Sequence, residues 1–263
     1  MALLPENQCF KERNVLNGLN LDDSVYKWMP LKYVISMLQS GKLTFTRIAA
    51  WEDVYENYFL KGNVISHGLW GGTDIIQNGM FGQSWSLRPE SDALWRIYSD
   101  IKQVKNSQHP NYDDVAIRIK TTARKLYDAI YVDDSCMATT YIGRVLYKDQ
   151  KDIENEMQTL QVPIGNLSRE IAEHACVKRL EFDHENEIRP LVSLPTDDRR
   201  FGSILLQYVI NCDDFIDSFM IDPRLPIEQV QDIANLLIQV GVNPNKISQS
   251  QLYHYNPIPL QLV

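Results

Sequence analysis

Residues 29–47 read MPLKYVISMLQSGKLTFTR, and two periodicities meet inside them. Leu31, Val34, Ile35 and Leu38 recur at the spacing of one helix face. Pro30 suits the first turn of that helix, and Gly41 suits the position just past its end, where a left-handed residue is often required. Leu43 and Phe45 then alternate with Thr44 and Thr46, the pattern of a half-buried strand. A helix that passes directly into a strand predicts a chain that mixes the two.

Upstream, the aromatic segment VYKWM (25–29) follows the turn-favouring Asp22, Asp23 and Ser24 and reads as a strand. Further strands are expected at GQSWS (82–86), DVAIRIK (114–120), YIGRVLY (141–147), EIRPLV (187–192), ILLQYVI (204–210) and IDSFMI (216–221). Helices are expected around 52–60, 91–104, 121–130, 151–160, 167–177 and 226–240, the last marked by Pro226 and Gly241. Strands and helices do not alternate regularly, and no glycine-rich turn follows the first strand, which argues against a doubly wound dinucleotide fold. The expected architecture is a single α+β domain over 1–263, with a mixed or antiparallel sheet and flanking helices.

The composition is that of a globular protein: 263 residues, 44% hydrophobic and 23% charged, without repeats or low-complexity tracts. Acidic residues outnumber basic ones, 34 against 26, for a net charge of -8. The surface as a whole therefore repels a polyanion, which leaves nucleic acid only a local basic groove. The densest basic stretch, Arg118, Lys120, Arg124 and Lys125, reads as a solvated surface. Cys9, Cys136, Cys176 and Cys212 are too far apart for a zinc or redox pair and are expected as free thiols. The N-terminus has no basic leader, and no uncharged apolar run approaches the ~20 residues that a membrane helix needs. These features predict a soluble chain in the reducing cytoplasm, with no membrane partner.

Familiar catalytic signatures are absent: there is no phosphate-binding Gly-rich loop ending in Lys-Ser/Thr, no Gly-x-Ser-x-Gly turn and no His-Glu-x-x-His zinc helix. The five histidines, His67, His109, His174, His184 and His254, show no ligand spacing, so no metal site is expected from them. What stands out is HENEIRPLV (184–192). Glu185, Glu187 and Arg189 occupy alternate positions, which on a strand sends all three to one face. Such a face is either a site or a solvated ion-pair ladder, and the pattern alone leaves both open. Polar groups also cluster among aromatics at Tyr26-Lys27-Trp28, Ser84-Trp85-Ser86 and Trp95-Arg96-Ile97-Tyr98.

The order of these segments resembles that of bacterial proteins carrying the domain of unknown function 2971. That family shows a Tyr-x-Tyr-like strand before a Leu-rich helix, an Asn-Asp-Pro-Phe-Glu-like turn, a Cys-Phe-Ser strand end, a Met-Trp-x-x-Tyr helix and a Trp-x-x-Glu-x-Glu-x-Arg strand. The corresponding stretches here are Tyr26-Lys27-Trp28, Trp51 to Glu56, Gln83 to Ser86, Leu94 to Tyr98, and Phe182 to Arg189. The chain departs from the pattern where Val54 stands for the proline, Ser84 for the cysteine and Phe182 for the tryptophan, as a divergent member would. The resemblance implies a bacterial protein of the kind found in phage-defence or mobile-element loci, and assigns no chemistry.

A cationic strand residue, a Ser-x-Ser strand and a Glu-x-Glu strand start, in that order, also resemble mono-ADP-ribosyltransferases. That resemblance implies a split mixed sheet, NAD as substrate and an unidentified macromolecular acceptor. On it, Glu187 stabilises the positive charge that develops on the nicotinamide ribose, and Glu185 orients or deprotonates the acceptor. Two neighbouring carboxyls raise one pKa, which suits Glu185 to that second task. Lys27 would pair with the pyrophosphate, and Trp28, Trp95 or Tyr98 would stack on nicotinamide or adenine. Ser84 and Ser86 would support the nicotinamide-ribose pocket, with Arg189 beside them.

Two other classes compete with this reading. Asp53, Glu56, Glu185 and Glu187 could hold magnesium in a nuclease. An aromatic cleft could instead bind a nucleotide or partner protein without catalysis, in keeping with five Trp and 13 Tyr. The C-terminal stretch LYHYNPIPLQLV is apolar enough to pack on the domain or on a second subunit, and a homo-oligomer or a partner protein is an open expectation.

Overall fold

The computed structural model describes residues 11–53, 55–56, 63–66, 69–72, 78–105, 107, 110–131, 139–159 and 167–259. It is α+β, with parallel and antiparallel strand pairs and flanking helices. The chain divides into two compact units: 1–26, 41–89 and 121–211 in the first, 27–40, 90–120 and 212–263 in the second.

The first unit is organised around the Glu187–Ser193 strand. Thr139–Arg144 pairs antiparallel along one side of it, Leu191 opposite Tyr141, and in turn pairs parallel with Val15–Leu16. Met80–Gly82 and Trp85–Ser86 share its other side, with Val192 opposite Phe81 and Glu187 opposite Ser86. The expected GQSWS strand is thus two short strands broken at Gln83 and Ser84. Lys42–Arg47 continues the sheet from Met80–Gly82, and Leu205–Val209 pairs antiparallel beyond it. Flanked on both sides, the Glu187 strand buries six of its seven residues, as near-continuous burial of a central strand requires. A core of Leu16, Ile48, Met80, Tyr141, Ile171, Ala172 and Leu191 packs beneath it, with Trp51 against that cluster.

A small parallel ribbon, Leu146–Lys148 with Val177–Arg179, lies apart from that sheet in the pairing pattern. It ends the expected 167–177 helix early: the helix is Leu167–His174, and the chain is already a strand at Val177. Of the helix expected at 52–60, the described positions 52–53 and 55–56 are not helical, and the rest lie outside the described residues.

The second unit contains the opening segment's helix, Leu31–Ser40, which buries Leu31, Val34 and Met37. Gly41 follows it at φ 62°, the left-handed conformation expected there. Ser218–Ile221 pairs antiparallel with the Ala116–Thr122 strand and parallel with Ile247–Gln249. The Ile227–Gln239 helix buries Val230, Ile233 and Leu237 and is followed by Gly241 at φ 94°. Arg118, read as solvated, is instead only 6% exposed on the Ala116–Thr122 strand. Residues 251–259 are exposed throughout, so the C-terminal stretch contributes no buried packing over its described length. Among the described residues no helix is long and apolar enough to cross a membrane.

Candidate active site

The entry into the Glu187 strand is a six-residue 3-10 segment, Leu180–Glu185, that ends at Asn186 with φ 44° and ψ 59°. Asparagine is one of the few non-glycine residues that visits this left-handed region at low cost. Glu185 therefore lies in the turn and only Glu187 and Arg189 are on the strand, which corrects the expectation of three charges on one strand face. The turn is stitched to the neighbouring strand: Ser86 Oγ donates to the Glu185 carbonyl at 2.6 Å, and Leu87 N–H donates to the Asn186 carbonyl at 2.9 Å.

Glu185 and Glu187 nevertheless meet, because Lys178 gathers them. Its Nζ lies 2.6 Å from Glu187 Oε1, 2.7 Å from Glu185 Oε2 and 3.0 Å from Glu56 Oε1. Arg189 donates from Nε to Glu187 Oε2 at 2.9 Å, from Nη2 to Glu56 at 2.6 Å and from Nη1 to the Ala175 carbonyl at 2.6 Å. Its guanidinium also lies 4.7 Å from the centre of the Trp51 ring. Three carboxyls and two cations thus form one closed network. Arg189 is 0% exposed and Glu187 3%, so it is neither a solvated ladder nor, at Arg189, a group that reaches a ligand. Removing charges from water costs several kcal/mol per ion, and only this dense pairing repays it.

The network also fixes protonation. Glu185 and Glu187 are too close for both to ionise freely, and the conflict falls on Glu185. Burial, then the hydrogen bond and charge of Glu187, push Glu185 up to about 8, against the pull of Lys178. Burial works against ionised Glu187 too, but the Arg189 guanidinium, the hydrogen bond with Glu185 and the Lys178 ammonium hold it well below the usual carboxylate range. The pair is thus driven apart, Glu187 toward its ionised form and Glu185 toward its neutral one. Glu185 is also the more open, its side chain 18% exposed.

Neither Lys178 nor Glu56 stood out for this role from sequence. Lys178 belongs to a three-residue strand hidden at the end of a helical pattern, and its one signal is a lysine directly after the buried Cys176 and Val177. Glu56 figured as a magnesium ligand and as the end of the Trp51 to Glu56 turn, not as a partner of Arg189 or Lys178. Glu56, Glu185 and Glu187 converge on Lys178, while Asp53 pairs with Arg179 at 3.2 Å. Among the described residues no group of three or more His, Cys, Asp or Glu side chains is arranged to hold a metal ion.

The other expected residues fall as follows. Ser86 is 5% exposed, and its hydroxyl, besides bonding Glu185, accepts from Arg88 N–H at 3.0 Å, so it holds the turn in place. Ser84 is half-buried in the break between the two short strands. Lys27, Trp28, Trp95 and Tyr98 belong to the second unit. There Trp28 and Trp95 pack edge to face, ring centres 5.8 Å apart, and both are buried, which corrects the expectation of stacking platforms: their faces are core. Tyr98 is exposed and Lys27 half-buried. Cys176, directly behind the network, is fully buried, and burial pushes its thiol up to about 12.

No family model matches the chain, and no curated protein matches it. Among solved structures it is similar to Thermus sp. 2.9 DarT in complex with NAD+, at 11% identity and a TM-score of 0.39, over 90% of this chain and 99% of that one. It is similar also to Thermus sp. 2.9 DarT in complex with ADP-ribosylated ssDNA, at 11% identity and a TM-score of 0.38, over 91% of this chain and 99% of that one.

Proposed function

We propose that the chain is an NAD-dependent ADP-ribosyltransferase-like enzyme acting through Glu185 and Glu187. The observation that carries this reading is the split pair: two adjacent carboxyls in one network, one held ionised and the other held neutral. Environments that drive two titratable groups apart are how a single site supplies both a fixed charge and a proton-transfer group.

In the proposed reaction the bond between nicotinamide and C1′ of its ribose breaks, and nicotinamide leaves with the bonding pair. Positive charge develops on the ribose, and the ionised Glu187 lowers its energy. A nucleophile on a macromolecular acceptor forms the new bond at C1′ and loses a proton, which Glu185 accepts in the fraction of molecules, growing as pH rises toward about 8, that has already released its own. Glu185 is the carboxyl that substrate meets first; Glu187 supplies charge from behind it. A carboxyl with a pKa near 8 is a stronger base than an ordinary one, which suits this step.

A cation for the pyrophosphate is available in the same unit. Arg88 is exposed, and its Nε donates to the His184 carbonyl at 2.7 Å, which fixes the guanidinium beside the turn that carries Glu185. An effector role, as toxin or in phage defence, rests on the family resemblance.

The test is purified protein with NAD labelled in the nicotinamide and in the adenylate. Nicotinamide release and adenylate transfer to added protein, RNA or single-stranded DNA are expected, with loss of both in Glu187→Gln. If folded wild-type protein releases no nicotinamide under any of these conditions, the reading fails. A second reading, a non-catalytic binding module, is favoured by one observation: both oxygens of the buried Glu187 are already bonded, to Lys178 and Arg189. On that reading the network only secures the strand, and Glu187→Gln changes stability alone.

A further inference from the structure

Within the second unit a groove of about 820 Å³ runs between the Leu31–Ser40 and Ile227–Gln239 helices and the loop at 110–113. That volume is within the range of ligand-binding clefts. Leu31, Ile35, Tyr112 and Leu236 supply its apolar lining. The lining is held in place from both sides. Leu31 N–H donates to the Val115 carbonyl at 2.8 Å and Lys32 N–H to the Asp113 carbonyl at 3.2 Å, which ties the first helix to the loop. Tyr112 Oη donates to Asp232 Oδ2 at 2.7 Å, which ties the loop to the second helix. Leu236 remains 37% exposed here, whereas its helix neighbours Ile233 and Leu237 are buried.

The rim is acidic. Asp113 and Asp232 line it, and the cation among its lining residues, Lys32, is already paired with Asp114 at 2.6 Å. Neither Asp113 nor Asp232 takes part in an ion pair among the described residues. The groove therefore offers an apolar floor with two aspartates at its edge that stand outside the Lys32–Asp114 ion pair.

We propose that this groove docks a cationic amphipathic peptide segment of a partner protein, its apolar ridge on Ile35 and Leu236 and its Lys or Arg side chains against Asp113 and Asp232. Charge complementarity selects this occupant. A second copy of a chain with net charge -8 brings like charge to an acidic rim. A bare polyamine would satisfy the two aspartates and leave the apolar floor wet. An amphipathic segment matches both features, in the manner of helix-in-groove recognition.

The test uses the full chain and a fluorescein-labelled synthetic helical peptide with Leu at positions i, i+3, i+4 and i+7 and Lys along both flanks. A second peptide carries Glu in place of every Lys. Anisotropy is expected to show the Lys peptide binding at least about tenfold more tightly than the Glu peptide, with affinity falling as salt rises. Leu236→Asn and the double variant Asp113→Asn with Asp232→Asn should each weaken the Lys peptide by about tenfold or more. The Asp232→Asn change keeps an acceptor for Tyr112, and a thermal melt checks that both variants fold. Equal binding of the two peptides overturns the proposal, as does binding indifferent to Leu236→Asn. Spermine displacing the peptide while Leu236→Asn has no effect marks a bare cation site instead. A dimer in sedimentation velocity that Leu236→Asn dissociates assigns the groove to a second copy.

Discussion

Glu187 and Arg189, two residues apart on one strand, are paired through Arg189 Nε and Glu187 Oε2 at 2.9 Å, and both are buried. The pair is therefore governed by desolvation rather than by the small energies of exposed ion pairs. Replacing Arg189 by Leu leaves Glu187 and Glu56 with Lys178 as their one partner cation among the described residues. A loss of about 3–5 kcal/mol in urea unfolding is expected. Adding Glu187→Leu should recover part of that loss, because it removes the stranded charge, and a double-mutant cycle reads the coupling directly. If the two losses simply add, the pair is not coupled.

Stability should also depend on pH through Glu185. Its folded pKa of about 8 lies above its ordinary value of 4.5, so the folded state holds a proton that the unfolded chain releases. That contribution is complete below about pH 4.5 and disappears as pH rises through about 8. Glu187 behaves in the opposite sense: its contribution is present above the ordinary carboxylate pKa and is lost in acid. Glutamine imitates neutral Glu185, so Glu185→Gln should gain steadily on wild type in melting temperature between pH 5 and 9. A constant difference across that range would show that Glu185 titrates normally.

The proposed chemistry separates the two carboxyls kinetically. Glu187→Gln should slow nicotinamide release by about 10²-fold or more, as losing a charge matched to the transition state does. Glu185→Gln should largely spare release while lowering transfer to the acceptor by about 10²-fold, the usual scale for a general base. Wild-type transfer should rise with pH and level off above about 8, where Glu185 becomes ionised. Equal loss of both activities in both variants would rule out this division of labour.

Cys176 offers a direct probe of how closed the site is. Its thiol is fully buried and its pKa is raised to about 12, so little thiolate exists and none is accessible. Iodoacetamide should leave Cys176 unmodified in native protein at pH 8 and label it in urea, as peptide mass mapping would show. Native labelling at a rate near that of a free thiol would mean that the network opens readily.

The regular elements were largely legible because their periodicity is local. Leu31, Val34 and Leu38 mark their helix without reference to anything distant, and so do Leu43 and Phe45 on their strand. HENEIRPLV was legible as a unit, but its meaning was not. Whether Arg189 meets solvent or Trp51 depends on the strands that flank it, and those come from residues 80–86 and 139–144. Lys178 was missed for the same reason: a parallel ribbon partner thirty-odd residues away leaves no local period. Asn186 mattered most, since a single left-handed residue takes Glu185 off the strand while Lys178 keeps both carboxyls together.

The last prediction tests how tightly the sheet presses on that network. A Cβ at Gly82 would meet Leu191 Cδ2 at 2.8 Å and Trp51 Cζ2 at 2.9 Å. Leu191 is fully buried whereas Trp51 is only partly so, so the indole is the side expected to give way, and that indole lies against the Arg189 guanidinium. Gly82→Ala should therefore cost about 1–3 kcal/mol from overpacking. Displacing the indole also removes a cation–π contact of about 2 kcal/mol in a desolvated setting. In a Trp51→Leu background, which has no ring to displace, the same glycine substitution should cost distinctly less. Equal costs in the two backgrounds would show that Leu191 alone, and not the ring over Arg189, sets the requirement for glycine.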